Sequence, residues 1–225
     1  MTDERARLAR QALMLLALAA WAVVAHLASA GVGPASLRVL AATAPLLAAA
    51  ALLLWRAPLP RLPAWGVFGA LLALLAAGWN WLGSHLAWLF YLQHLGIHLS
   101  LAAWFGSSLL PGHEPVVSAM ARLLAPSGVL TPRNQRYTRG VTLAWALFLL
   151  GSALVSTLLF AWAPVAVWSV YANLLTGPLL AAFFGLEMLV RRCALPPEER
   201  PSLADVLRAY RVRRAADTSR PVGPV

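Results

Sequence analysis

The stretch Tyr91-Leu-Gln-His-Leu-Gly-Ile-His98 decides how this chain is read. On a helix of 3.6 residues per turn, His94 and His98 fall about 40° apart on one face, with Tyr91 one turn earlier. The stretch lies in 52 residues, between Arg61 and Glu114, that hold no carboxylate, Lys or Arg. A second such run covers 47 residues between Arg139 and Glu187. A membrane-crossing helix needs about 20 apolar residues, so each run has room for two. Ionisable side chains at bilayer depth are costly and face a bundle interior or a wet cavity. Tyr91, Gln93, His94 and His98 are therefore the candidate intramembrane polar centre.

Composition supports the same class. The 225 residues are 60% hydrophobic and only 12% charged, with a mean hydropathy of +0.71. A soluble domain carries roughly one quarter charged residues. The net charge of +10 comes from 18 basic residues, every one an arginine. In a soluble protein such basicity points to nucleic acid. Here basic residues collecting in cytoplasmic loops account for it, and no nucleic-acid partner is expected. The single cysteine, Cys193, excludes an intrachain disulfide and has no CxxC partner.

Apolar runs and their breakers predict an all-α polytopic membrane bundle of six spans, at about 11–30, 37–55, 64–83, 85–106, 140–162 and 164–190. A basic tail, 191–225, follows this transmembrane domain. Ala28-Ser-Ala30 has the A-x-A form of a signal-peptidase site. The apolar run before it is longer than a typical h-region, and the N-terminus starts inside whether or not it is cut. Six spans then place both ends in the cytoplasm, with 17 of 18 arginines inside and Arg38 the exception. Tryptophans fit the belts expected at both interfaces: Trp55, Trp65 and Trp104 near inner ends, Trp79, Trp81, Trp162 and Trp168 near outer ends.

Between spans four and five, Val116, Val117, Met120, Leu123 and Leu124 recur at helical spacing, which predicts a short amphipathic helix on the membrane surface. Thr131-Pro132 reads as an N-cap followed by proline at the first helical position. That helix should carry Arg133, Arg136 and Arg139 straight into span five. Ala163-Pro164 predicts a tight turn. In the tail, Ser202-Leu-Ala-Asp205 approximates a capping box and should open a basic helix.

The histidine face admits three uses. Histidines at i and i+4 can present two imidazoles to one metal ion, but two ligands are too few and no acidic residue lies at that depth. A bis-histidine haem would draw on His26 and His85, both toward the outer side. No metal and no cofactor is therefore expected. Interhelical hydrogen bonding, to groups such as Asn80, Asn173 or Tyr171, is the commoner use of such side chains. A contact with a lipid-like substrate, or a proton relay, is the third. Glu187 with Arg191 at i+4 reads as a snorkelling carboxylate and its partner. Gly112-His-Glu-Pro115 holds a single carboxylate and no pair for acid/base work. The arginine surface suits anionic lipid headgroups. Arg133, Arg136 and Arg139 also suit an acidic partner or a phosphate, through arginine's planar fork.

Several motifs then gather: Gln93-His-x-Gly-x-His98, Phe105-Gly-Ser-Ser-Leu109, Gly112-His-Glu-Pro115, Arg136-Tyr-Thr-Arg139 before Val141-Thr-x-Ala-Trp145, and Leu207-Arg-Ala-Tyr-Arg211. With them the chain, most clearly over its second half, resembles a family of uncharacterised bacterial inner-membrane proteins. Its members are commonly encoded within aryl polyene (xanthomonadin-type) pigment clusters. The resemblance implies a pathway in which fatty-acid-like enzymes build polyenes on acidic acyl carrier proteins. It carries no established activity. The function expected on this basis is an inner-membrane accessory protein of pigment biosynthesis, a scaffold or lipid-product handler. Its expected partners are membrane lipids and acyl carrier protein or other polyene enzymes, with Arg133, Arg136 and Arg139 as the docking surface. An integral-membrane enzyme or metal-binding protein using the His94/His98 face is the alternative.

Overall fold

Apolar length dictates helices, and the computed structural model, which describes residues 2–57, 60–125 and 128–199, contains no strand among them. The order is α1 (Thr2–Ser29), α2 (Ala35–Arg56), α3 (Arg61–Ala77), α4 (Trp79–Ser84), α5 (Leu86–Ser107), α6 (Val116–Leu124), α7 (Pro132–Trp162), α8 (Val165–Ser169), a π-helical segment (Val170–Leu175) and α9 (Thr176–Ala194). A 3-10 turn, Pro197–Glu199, ends the described chain. The tail helix expected from Ser202 lies outside the described residues. Five helical stretches are long and apolar enough to cross a membrane: Leu8–Ser29, Ala35–Arg56, Leu86–Ser107, Pro132–Trp162 and Val165–Ala194. This is the pattern of a multi-pass membrane protein.

Two of the expected spans are not uniform helices. The run at 64–83 divides at Gly78 into α3 and α4. Gly78 sits at φ −86° and ψ 3°, a bridge conformation that closes α3 through its N–H to the Leu74 carbonyl at 2.9 Å. Glycine weakens a helix interior by about 1 kcal/mol relative to alanine, so the break falls where propensity is lowest. Within Val165–Ala194 the ladder loosens to π spacing at Val170–Leu175. Polar side chains compete for its carbonyls there: Asn173 Nδ2 donates to the Ser169 carbonyl at 3.2 Å, and Thr176 Oγ1 to that of Tyr171 at 3.0 Å.

Contacts group the chain into two units, Met1–Gly96 with Leu154–Leu179, and Ile97–Ala153 with Leu180–Val225. In the first unit α1 and α2 form a helical hairpin. Gly31, at φ 87°, is the left-handed residue that ends α1. Val32 N–H reaches the Leu27 carbonyl at 2.8 Å and Gly31 N–H that of Ala28 at 3.3 Å, the Schellman pattern. Pro34 then opens α2. Val39, Ala41 and Ala42 of α2 pack with Ala25 and Ala28 of α1, with Leu86, Phe90 and Tyr91 of α5, and with Trp168. Small residues on α1 and α2 let these helices approach closely.

Trp168, expected near an outer end, faces the packed helices. It is fully buried at 0%, whereas Trp162 is 81% exposed and Trp55 72%. Its Nε1–H donates to Ser156 Oγ at 2.9 Å, and its ring meets Phe160 edge to face at 5.3 Å between centroids. A belt position follows from depth along a helix. Trp168 points inward because its azimuth on α8 faces α7, where Ser156 leaves room for it.

In the second unit the expected amphipathic helix is α6. Ser118 hydrogen-bonds Thr138 at 2.7 Å, and Val117 N–H donates to Thr142 Oγ1 at 3.2 Å. Val116 N–H donates to Ser108 Oγ at 3.1 Å. Two first-turn N–H groups, which the helix itself leaves unpaired, are thus satisfied by hydroxyls. Val116 is buried, while Met120 and Leu123 remain exposed. Thr131 caps α7 as expected, Oγ1 accepting from Asn134 N–H at 3.2 Å. α7 then continues for 31 residues, about 46 Å. Deeper in the unit, Trp145 and Phe148 pack on Phe183 with centroids 4.7 and 4.5 Å away.

Candidate functional site

Tyr91, Gln93 and His94 come from the middle of α5, and each reaches a different helix within the first unit. Tyr91 is buried, stacks on Phe160 at 4.3 Å and donates its hydroxyl to Thr157 Oγ1 of α7 at 3.0 Å. Gln93 lies about 100° around the helix from His94 and donates Nε2 to the Ala42 carbonyl of α2 at 3.0 Å. That carbonyl is one residue on from the one whose helical donor Pro45 removes. His94 is buried at 9%, and its Nε2 lies 3.1 Å from Thr176 Oγ1.

Thr176 couples His94 to the π segment. Its hydroxyl proton goes to the Tyr171 carbonyl, so the oxygen accepts from His94, whose hydrogen is thereby assigned to Nε2. The His94 and Tyr171 rings lie 6.0 Å apart. One turn before Thr176, Asn173 Nδ2 donates to Ser29 Oγ at 3.1 Å, and two turns before it Ser169 Oγ sits 2.6 Å from His26 Nδ1. The polar layer therefore ties α1, α5 and α7 to the last span around the loosened ladder. Mid-helix π turns recur at functional sites.

His98, the fourth member of the expected centre, is buried but belongs to the second unit. Of the partners named from sequence, Asn173 bonds Ser29 rather than the histidine face. Thr157, Thr176 and Ser169 are the members that sequence reasoning missed, and His26, named there only for a haem, joins the layer through Ser169. A signal for them exists, because Ser169, Asn173 and Thr176 repeat at i, i+4 and i+7, a polar stripe on an apolar helix. Chemically the layer pairs imidazoles with hydroxyls. Ser169 is completely buried and donates to the Ala166 carbonyl, so in this conformation no substrate reaches it as a nucleophile. Among the described residues no three His, Cys, Asp or Glu side chains converge as metal ligands.

The docking arginines lie on the first two turns of α7, in the second unit. Arg133, Arg136 and Arg139 span about 120° of its circumference and are all exposed. Arg139 also has a holding role, donating Nη2 to the Leu109 carbonyl at 2.8 Å. Beside it Arg122 makes a two-pronged pair with Glu114 at 2.9 and 2.7 Å. The hydrogen bond and the negative charge of Glu114 hold that guanidinium above the ordinary arginine range. His113, Glu114, Arg122, Gln135 and Arg139 line a cavity of about 450 Å³.

Glu187 adds a group that sequence showed only in part. Arg191 donates Nε and Nη2 to its Oε1 at 2.9 and 2.8 Å, the expected i, i+4 pair. Tyr137 of α7 donates to the same oxygen at 2.9 Å. The carboxylate is 8% exposed and the arginine side chain 29%. The Arg191 partner was expected; the largely buried carboxylate and the third group, Tyr137 reaching it from α7, were not.

Compared with protein-family models, curated proteins and solved structures, the chain finds no match. Its class therefore rests on the fold: an all-helical, multi-pass membrane protein with a polar layer among its apolar helices.

Proposed function

We propose that the chain is a six-span accessory protein of the bacterial inner membrane, with both ends in the cytoplasm. On this reading it serves aryl polyene pigment synthesis as a scaffold or handler of lipid-linked product, docking acidic carrier proteins on its arginine face. The observation that carries the reading is the exposed arc of Arg133, Arg136 and Arg139 at the start of a helix long enough to cross the membrane. α6 braces that arc through Ser118 and Val117. α3 with α4 supplies the sixth span. The placement of 17 of 18 arginines supports the orientation. The resemblance in the second half of the chain supports the pathway.

The test is capture of acyl carrier protein by the solubilised protein, with Arg133, Arg136 and Arg139 changed to Gln in the comparison. Each exposed arginine contributes about 1 kcal/mol or less to such a contact. The triple variant should therefore bind between about threefold and about a hundredfold more weakly, with salt-sensitive binding in the wild type. Equal capture by both proteins, or none by either, removes the docking role.

The π segment against His94 favours a second reading, an integral-membrane enzyme using that histidine. In cells carrying a His94→Ala/His98→Ala double variant, pigment lost at normal protein level supports chemistry there. Protein level lost together with pigment assigns the histidines to packing.

A further inference from the structure

Where α7 meets α9 in the second unit, a groove of about 350 Å³ runs from Arg136 and Tyr137 past Gly140 and Ala144, walled by Phe183 and Leu186. Residues 136, 140 and 144 follow one another at i, i+4 and i+8 on one face of α7. At Gly140 the groove is open space, since a Cβ built there meets nothing within 4 Å. Its length from 136 to 144 is about 12 Å. That is close to the ~15 Å hydrocarbon depth of one leaflet.

The two ends differ in chemistry. The floor is apolar. The mouth holds Arg136, and beside it the Glu187–Arg191 pair. Arg191 balances the charge of Glu187, whose Oε1 also accepts from Tyr137, and Arg136 lines the same mouth. One positive charge is left in excess at the mouth of a hydrocarbon-lined slot. Arg136 donates Nε to the Pro132 carbonyl at 3.3 Å, which fixes its guanidinium at the helix start.

We infer that this groove holds one acyl chain of an anionic glycerophospholipid of the surrounding membrane, with the headgroup phosphate on Arg136. A packing helix does not fit. At roughly 10 Å diameter, a helix would need more than twice the available volume over the same length. A zwitterionic lipid offers the same tail but no net charge for the mouth. The inference rests on α7 and α9 crossing the membrane, and it deepens the proposed lipid-handling role without depending on carrier-protein docking.

Native mass spectrometry of the delipidated protein, titrated with phosphatidylglycerol or phosphatidylcholine of the same chains, tests it. Wild type should retain phosphatidylglycerol about fivefold better, the equivalent of one arginine at a lipid surface. Arg136→Gln, a change at an exposed position, should bring the two lipids level. Ala144→Phe should fill the slot and lower retention of both, with an unchanged elution profile. Arg133→Gln lies outside the groove: it should weaken carrier capture and leave lipid retention intact, which separates failure of docking from failure of the lipid site. Equal retention of the two lipids by wild type overturns the inference. So does undiminished retention by a folded Ala144→Phe. If that variant does not fold, the Arg136→Gln comparison decides.

Discussion

Trp168→Ala is expected to destabilise the protein by about 3–5 kcal/mol, the range for emptying a large aromatic site in a packed core. Among the described residues the indole is the largest fully buried side chain, and it sits where α8 meets α5 and α7. Its ring closes the cluster with Tyr91 and Phe160. Its Nε1–H satisfies Ser156, itself fully buried. Alanine removes the ring contacts and leaves that hydroxyl facing a void. Trp168→Phe should cost less, about 1–2 kcal/mol, because it fills most of the volume and loses mainly the hydrogen bond. Thermal unfolding of the detergent-solubilised protein, followed by size-exclusion chromatography, would read both. An unchanged midpoint for Trp168→Ala would place the indole outside the core.

Arg191→Met is the second large effect. Glu187 is among the few carboxylates of this chain and is nearly buried, with Arg191 and Tyr137 converging on Oε1. Removing the cation strands a buried negative charge, a change that costs about 3 kcal/mol or more for well-buried pairs. Replacing both partners, as Glu187→Gln with Arg191→Met, should recover much of that loss, since an apolar or neutral pair avoids the uncompensated charge. The double-mutant cycle measures the coupling directly. Additive costs would mean that the pair contributes nothing at this site. Arg133→Met, at the exposed start of α7, serves as the control for loss of a basic residue outside this network.

The features that depend on one helix alone are legible in the sequence. Apolar length points to the five helical stretches long and apolar enough to cross a membrane. The Thr131-Pro132 start of α7 follows from local capping chemistry, and α6 follows from the spacing of Val116 to Leu124. What escapes is set by neighbours. Trp168 occupies a depth where tryptophans usually meet the interface, but only the packed helices reveal that it faces inward. The π segment arises because Asn173 and Thr176 find acceptors on their own backbone while bonding Ser29 and His94 on other helices. No periodicity of the apolar residues carries that information. Gly78 is a visible weak point, yet the run around it is hydrophobic enough to pass for one uninterrupted span. The Glu187–Arg191 pair is readable as i, i+4, whereas Tyr137 joins it from 50 residues away.

The single cysteine tests the central claim, the six-span orientation that puts the arginine face in the cytoplasm, without any mutation. Cys193 is exposed and follows Arg191-Arg192 in the last turn of α9. A membrane-impermeant maleimide should label it in inverted inner-membrane vesicles and leave it unlabelled in intact spheroplasts. Labelling in spheroplasts would place the end of α9, and with it the arginine face, on the opposite side of the membrane, and would contradict both the topology and the docking role.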